Sequence, residues 1–153
     1  MTREIERRFL LDRAPPGLPA GTPLRQGYLA VDGDVSLRVR EAGEARTITI
    51  KGGIGRDRTE VEVPVDEAAF AALWELTRGR RIEKVRSVVP LGPHRAEVDA
   101  FAGPLDGLLI AEVEFASPQD ADAFTPPGWF GEEVTGRREW GNVALAVHGR
   151  PPG

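Results

Sequence analysis

Arg3-Glu4-Ile5-Glu6-Arg7-Arg8-Phe9-Leu10-Leu11 sets the pattern for the whole chain: from Glu4 to Phe9 the even positions are charged and the odd ones, apart from Arg7, are apolar. A period of two places alternate side chains on opposite faces of a strand, so Glu4, Glu6 and Arg8 share one face and Ile5, Phe9 and Leu11 the other. Similar alternation recurs at Leu24–Val31, Ser36–Glu41, Arg46–Lys51, Arg58–Val63, Arg81–Val89, Arg95–Phe101 and Leu108–Phe115. Turn-forming sequences, among them VDGD, EAGE, GGIGRD and AGPLDG, separate these segments. Eight strands are therefore expected. Helices are few. Asp66 can cap one that runs to about Thr77, with Ala69, Phe70, Leu73 and Leu76 on one stripe; Ser117-Pro118 opens a second, and a third falls near Glu139–Val147. Many antiparallel strands with a few late helices define an α+β chain built on a meandering sheet or a barrel.

With 153 residues the chain suits one domain, 1–150, followed by a tail at 151–153. No apolar run approaches the roughly 20 residues of a membrane-spanning helix, and MTREIERRFL lacks the apolar stretch of a secretory signal. The expectation is a cytoplasmic protein with no membrane partner. The absence of cysteine excludes disulfides, zinc-thiolate sites, iron–sulfur clusters and a thiol nucleophile, and leaves His94 and His148 as the only imidazoles. A net charge of −4 argues against a protein that coats nucleic acid by bulk attraction, so any anion site must be local. Of the 20 basic residues only Lys51 and Lys84 are lysines. In a chain so biased to arginine, these positions are candidates for a need that only a compact ammonium meets.

Strand parity gathers the charges. One face carries Arg38 and Arg40; Lys51; Arg58, Glu60 and Glu62; Lys84 and Arg86; Arg95, Glu97 and Asp99; and Glu112 with Glu114. For any single strand this is what a solvated face with cross-strand ion pairs looks like. Across the set, acid–x–acid and base–x–base doublets repeat, and like charges on one face do not stabilise each other. Two carboxylates about 4 Å apart repel by roughly 4 kcal/mol at an effective dielectric near 20, so grouped acids call for a cation. Mg²⁺ or Mn²⁺ takes oxygen ligands and needs neither Cys nor His. Guanidinium and ammonium groups bind phosphate oxygens. If the sheet closes with this face inward, it makes a charged tunnel whose apolar exterior the helices must cover.

These residues resemble the CYTH, or triphosphate tunnel metalloenzyme, superfamily. Glu4-x-Glu6-x-Arg8 is similar to its ExExK signature, and further blocks follow in order: RQGYL at Arg25–Leu29, SLRVR at Ser36–Arg40, TITIKG at Thr47–Gly52, RTEVEV at Arg58–Val63, RRIEKVR at Arg80–Arg86, AEVDAFAGPLDGL at Ala96–Leu108, AEVEF at Ala111–Phe115 and PPGWFGEEVT at Pro126–Thr135. Among its members, the short bacterial inorganic triphosphatases are the most similar. The resemblance implies an eight-stranded antiparallel barrel with flanking helices, whose tunnel binds triphosphate with Mg²⁺ or Mn²⁺. By the same resemblance Glu4, Glu6, Glu112 and Glu114 are metal-binding acids, joined by Glu60, Glu62 and Asp99. Arg8, Arg38, Arg40, Lys51, Arg58, Lys84 and Arg86 become phosphate-binding cations. Two departures stand out. Arg8 replaces the signature lysine, and Gly136-Arg137-Arg138-Glu139-Trp140-Gly141-Asn142 differs from the usual stretch before the C-terminal helix that plugs one tunnel end.

The expected reaction is metal-assisted hydrolysis of inorganic triphosphate to phosphate and pyrophosphate, with Glu4, Glu6 and Lys84 as catalytic residues. Nucleoside and thiamine triphosphates are neighbouring substrates. The alternatives are a class IV adenylyl cyclase making cyclic AMP from ATP, and a non-catalytic polyphosphate or nucleotide binder. A homodimer stays open as an assembly state. Lys84, two residues from Arg86, should have a depressed pKa that lets it move a proton. Glu112 and Glu114 should behave alike, since neutralising either relieves a repulsion.

Overall fold

The computed structural model describes residues 2–53 and 57–152, so positions 54–56 of the GGIGRD connection lie outside the described residues. All eight expected strands form: β1 (Thr2–Leu10), β2 (Thr22–Asp32), β3 (Val35–Ala42), β4 (Ala45–Gly52), β5 (Asp57–Pro64), β6 (Arg81–Leu91), β7 (His94–Phe101) and β8 (Leu109–Glu114). They close into an antiparallel barrel in the order β1-β5-β4-β3-β2-β6-β7-β8. The VDGD and EAGE turns are two-residue hairpins in which Gly33 and Gly43 both take φ of 58°, a left-handed conformation open to glycine at little cost.

Register fixes which side chains face in. Glu6 lies opposite Glu114 and Arg8 opposite Glu112, while Lys51 pairs with Glu60 and Arg86 with Asp99. The charged face is therefore the interior, and the apolar face needs a cover. Helix α2 (Pro118–Ala123), capped by Ser117 Oγ, places Ala121 against Ile5, Ala96, Val113 and Phe115. Trp129 and Phe130 pack over Leu11, Val98 and Ala111. Helix α1 (Glu67–Glu75) is capped by Asp66, which accepts from Ala69 N at 2.7 Å, and buries Phe70. The chain after α1 passes so close to β2 that a Cβ on Gly27 would meet Thr77 at 2.5 Å.

Two helix expectations need correction. Helix α1 ends at Glu75, so Leu76 falls off the stripe and is 63% exposed. Trp74 packs in its place, stacked on Phe70 and in cation–π contact with the Arg25 and Arg81 guanidiniums. The single helix expected near Glu139–Val147 is two pieces, a 3-10 turn at Arg138–Trp140 and α3 (Asn142–His148), separated by Gly141 in extended backbone at ψ 158°.

The interior itself is divided. Leu10, Ile82, Phe101 and Ile110 face in, each two residues from a charged neighbour on its strand. With Leu105, Leu108, Val134, Trp140 and Leu145 they form one apolar cluster that stops one end of the barrel. Among the described residues, no helix is long and apolar enough to cross a membrane.

Candidate active site

Above the apolar stop, the strands aim charge inward from every side. Glu4 and Glu6 on β1 and Glu114 on β8 each offer a carboxylate oxygen within 4.8 Å of the others'. All three hold their protons more tightly than usual. Burial pushes the Glu4 and Glu6 carboxyls up, Glu6 well above the usual range with Glu112 adding to it, and burial followed by Glu4 raises Glu114. Three oxygen donors that resist ionising beside one another suit a hard divalent cation, whose charge replaces the protons.

Lys51 ties this cluster to β5, with Nζ 3.0 Å from Glu4 Oε1 and 3.4 Å from Glu60 Oε2. Burial alone would raise Glu60, but the hydrogen bond with Glu4, together with Lys51 and Arg38, brings it below the usual carboxylate range. Arg58 Nη1 stands 4.0 Å from Glu6 Oε1. Beside these groups opens a cavity of about 280 Å³ whose lining includes Glu6, Arg8, Arg38, Lys51, Arg58 and Glu112. That is just under the usual ~300–1,000 Å³ of small-ligand pockets. Arg38 Nε and Arg58 Nε are buried without a hydrogen-bond partner among the described residues. Buried guanidinium donors left in this state favour an anion.

Other expected members are engaged with each other. Asp99, fully buried, takes Arg86 in a bidentate pair at 2.8 and 2.9 Å and has Lys84 Nζ 2.8 Å from its Oδ2. Arg86 also reaches Glu97 at 3.2 Å, and Arg40 donates twice to Gln26 Oε1. Burial lowers the Lys84 pKa to about 7, helped by Arg86 and Arg40 against Asp99. The neighbouring arginine thus contributes as expected, though desolvation is the larger cause. Burial, Arg38 and Arg86 bring Arg40 to about 10. Glu112 is held by Arg8, and its carboxyl lies well below the usual range because Arg8, a hydrogen bond with Glu6, and the cations Arg86 and Lys84 overcome the burial penalty. Glu62, on the same face of β5 as Glu60, is exposed.

The sequence reading passed over the uncharged polar lining. Tyr28, Gln26, Ser36 and Thr49 are all buried, and Gln26 Nε2 donates to Tyr28 Oη at 3.1 Å. Parity with Arg38 and Arg40 across the β2–β3 pair was the available signal. Arg138, in the departing stretch before α3, lies at the rim of the cavity, largely exposed and paired with Asp34.

A closed barrel that gathers acids beside cations, with the Nε donors of Arg38 and Arg58 buried and unbonded among the described residues, is the architecture that the resemblance to the CYTH superfamily implies. No protein-family model matches the chain. Curated relatives do: an inorganic triphosphatase of Nitrosomonas europaea is 45% identical over 146 residues, covering 94% of this chain and 97% of the relative. One of Acetivibrio thermocellus is 40% identical over 149 residues, covering 95% and 94%. The crystal structure of an inorganic triphosphatase superposes with a TM-score of 0.72 at 43% identity, covering 100% of this chain and 99% of the other. A putative adenylate cyclase of Bacillus halodurans, at 18% identity, TM-score 0.55 and coverage of 80% and 86%, shares the fold alone. The chain belongs to the inorganic triphosphatase family.

Proposed function

We propose that the protein hydrolyses inorganic triphosphate to phosphate and pyrophosphate, with Mg²⁺ or Mn²⁺ held by Glu4, Glu6 and Glu114. The observation that carries this reading is the meeting of that acid cluster with the buried, unpartnered donors of Arg38 and Arg58 inside one closed barrel. The donor set is all oxygen, which suits a hard ion. Such an ion, when bound, supplies Lewis acidity toward water and neutralises phosphate charge.

The chain's own groups do the rest. Arg38, Lys51 and Arg58 bind phosphate oxygens and hold the substrate in line, which is most of what phosphoryl transfer asks of a protein. Water oxygen bonds to the terminal phosphorus as the bridging P–O bond breaks, and pyrophosphate leaves. Lys84 Nζ, with its pKa of about 7, is the group that can hold or release a proton deep in the tunnel. In this reading Asp99 and Glu112 act by fixing Lys84, Arg86 and Arg8, and Glu60 by fixing Lys51.

The test is release of phosphate from inorganic triphosphate, and of cyclic AMP from ATP, with added MgCl₂ or MnCl₂ and after exhaustive chelation. Metal-dependent phosphate release is expected. Undiminished hydrolysis after chelation, or cyclic AMP formation without triphosphate cleavage, would overturn the reading.

A further inference from the structure

Arg8 stands where the family signature has lysine, and its surroundings explain what the wider head group does. Its guanidinium uses three directions at once: Nη1 donates to Glu112 Oε1 at 2.5 Å, Nε to the Trp140 carbonyl at 3.0 Å and Nη2 to Asn142 Oδ1 at 3.1 Å. Its backbone is tied to the same C-terminal segment, with Arg8 N donating to Thr135 Oγ1 and Val134 N to the Arg8 carbonyl. A guanidinium has five N–H donors in a rigid fork, so three protein bonds leave two for a ligand. An ammonium has three donors on a flexible stem and could not meet all three acceptors and a phosphate together.

Asn142 is the first residue of α3, directly after its N-cap Gly141, which has no side chain to cap the helix. Asn142 Oδ1 turns to Arg8. Beyond it α3 sends Leu145, at its middle, into the apolar stop, so the helix is held by packing there and by this hydrogen bond at its first residue. Both Arg8 and Asn142 line the cavity.

We infer that Asn142 is a positioning residue for triphosphate hydrolysis: with the Trp140 carbonyl it aims the Arg8 fork, and so sets where Glu112 and the remaining Arg8 donors face the substrate. The inference rests on the triphosphatase reading. It makes the C-terminal segment part of the tunnel's working geometry as well as its stopper.

A double-mutant cycle tests it, with Mg²⁺-dependent triphosphate hydrolysis and thermal unfolding followed for each protein. Asn142→Ala should lower kcat about tenfold, the effect of losing one positioning hydrogen bond at a charged group, while the unfolding temperature moves by only a few degrees. In an Arg8→Lys background the same change should alter kcat less than twofold, because the fork it aims is gone. Asn142→Asp, which keeps the Oδ1 acceptor, should recover kcat to within about threefold of wild type and raise KM, since it adds negative charge near the substrate. Equal losses in both backgrounds, an Asn142→Ala enzyme with unchanged kcat, or an Asn142→Asp enzyme as slow as Asn142→Ala would each overturn the inference. A wild-type protein without triphosphatase activity would instead overturn the reading beneath it.

Discussion

Along four strands of the barrel a single two-residue step on the inward face separates two kinds of interior. Leu10 follows Arg8, Ile82 precedes Lys84, Phe101 follows Asp99 and Ile110 precedes Glu112. On the apolar side of that step the side chains are buried against Trp140 and Leu145, and removing them from water stabilises the fold by about 25 cal/mol per Å² of apolar surface. On the charged side, equally buried groups such as Asp99 and Lys84 carry a desolvation penalty that their mutual pairing only offsets. The barrel stop is where the interior contributes stability, and the tunnel is where that stability is put to use in holding charges out of water.

The sharpest way to break this contrast is at the stop. Ile110→Ala removes a fully buried side chain from the apolar cluster and should cost about 2–5 kcal/mol in urea unfolding, with kcat per folded molecule changed less than about threefold. A loss under about 1 kcal/mol would mean that the stop is not the stabilising half.

The next effect separates two acids expected to behave alike. Glu114→Gln should lower kcat at least tenfold, about 1.4 kcal/mol of barrier, with the unfolding temperature unchanged or slightly higher. Desolvation and the acids beside it, Glu4 first, raise the Glu114 pKa, so its charged form is a burden that grows as pH rises through that pKa. Glu112 has the opposite sign. Its folded pKa lies well below the unfolded value near 4.3, so its contribution is present at neutral pH and is lost as pH falls through the acid range. Glu112→Gln should therefore destabilise at pH 7, by about 1.5–3 kcal/mol for a charge-assisted bond, and flatten the acid limb of the stability curve. Equal stability changes in the two variants, followed by calorimetry from pH 3 to 8, would erase the distinction.

A further contrast lies in pH profiles. Lys84, at about 7 in the fold against roughly 10.4 in the unfolded chain, binds fewer protons when folded, so stability should rise with pH across that window. The kcat profile should show an inflection near pH 7, and Lys84→Arg should remove both features. A variant that keeps the wild-type rate and curve would take proton transfer away from Lys84.

Much of this is legible in the sequence. Two-residue alternation located all eight strands, parity put Glu4 with Glu6 and Glu112 with Glu114 on the charged face of their strands, and Asp66 and Ser117 cap helices as their side chains suggest. Closure needed the β1–β8 pairing, which joins residues more than a hundred positions apart and leaves no local trace. For the same reason the partners of Arg8 at Glu112 and Asn142 were hidden. The apolar stop escaped notice because Leu10, Ile82, Phe101 and Ile110 share the parity of the charged residues, so a reading keyed to charge stepped over them. Gly141 in extended backbone splits the helix expected near Glu139–Val147 into a 3-10 turn and α3.

Strand β1 carries a further consequence, because its neighbouring arginines face opposite ways. Arg7 points outward, where it pairs with Glu133 at 2.8 Å and donates to the carbonyls of Ala121 and Phe124, while Arg8 points into the tunnel. Since β1 is hydrogen-bonded along both edges, a slip of one residue would send Ile5, Arg7 and Phe9 inward and expel Glu4, Glu6 and Arg8 into the apolar jacket. No half-assembled barrel can keep the acids in place with the seam misaligned. Recovery of hydrolysis during refolding should then appear in step with closure of the β1–β8 seam, which makes the reaction itself a reporter of the last stitch in the barrel.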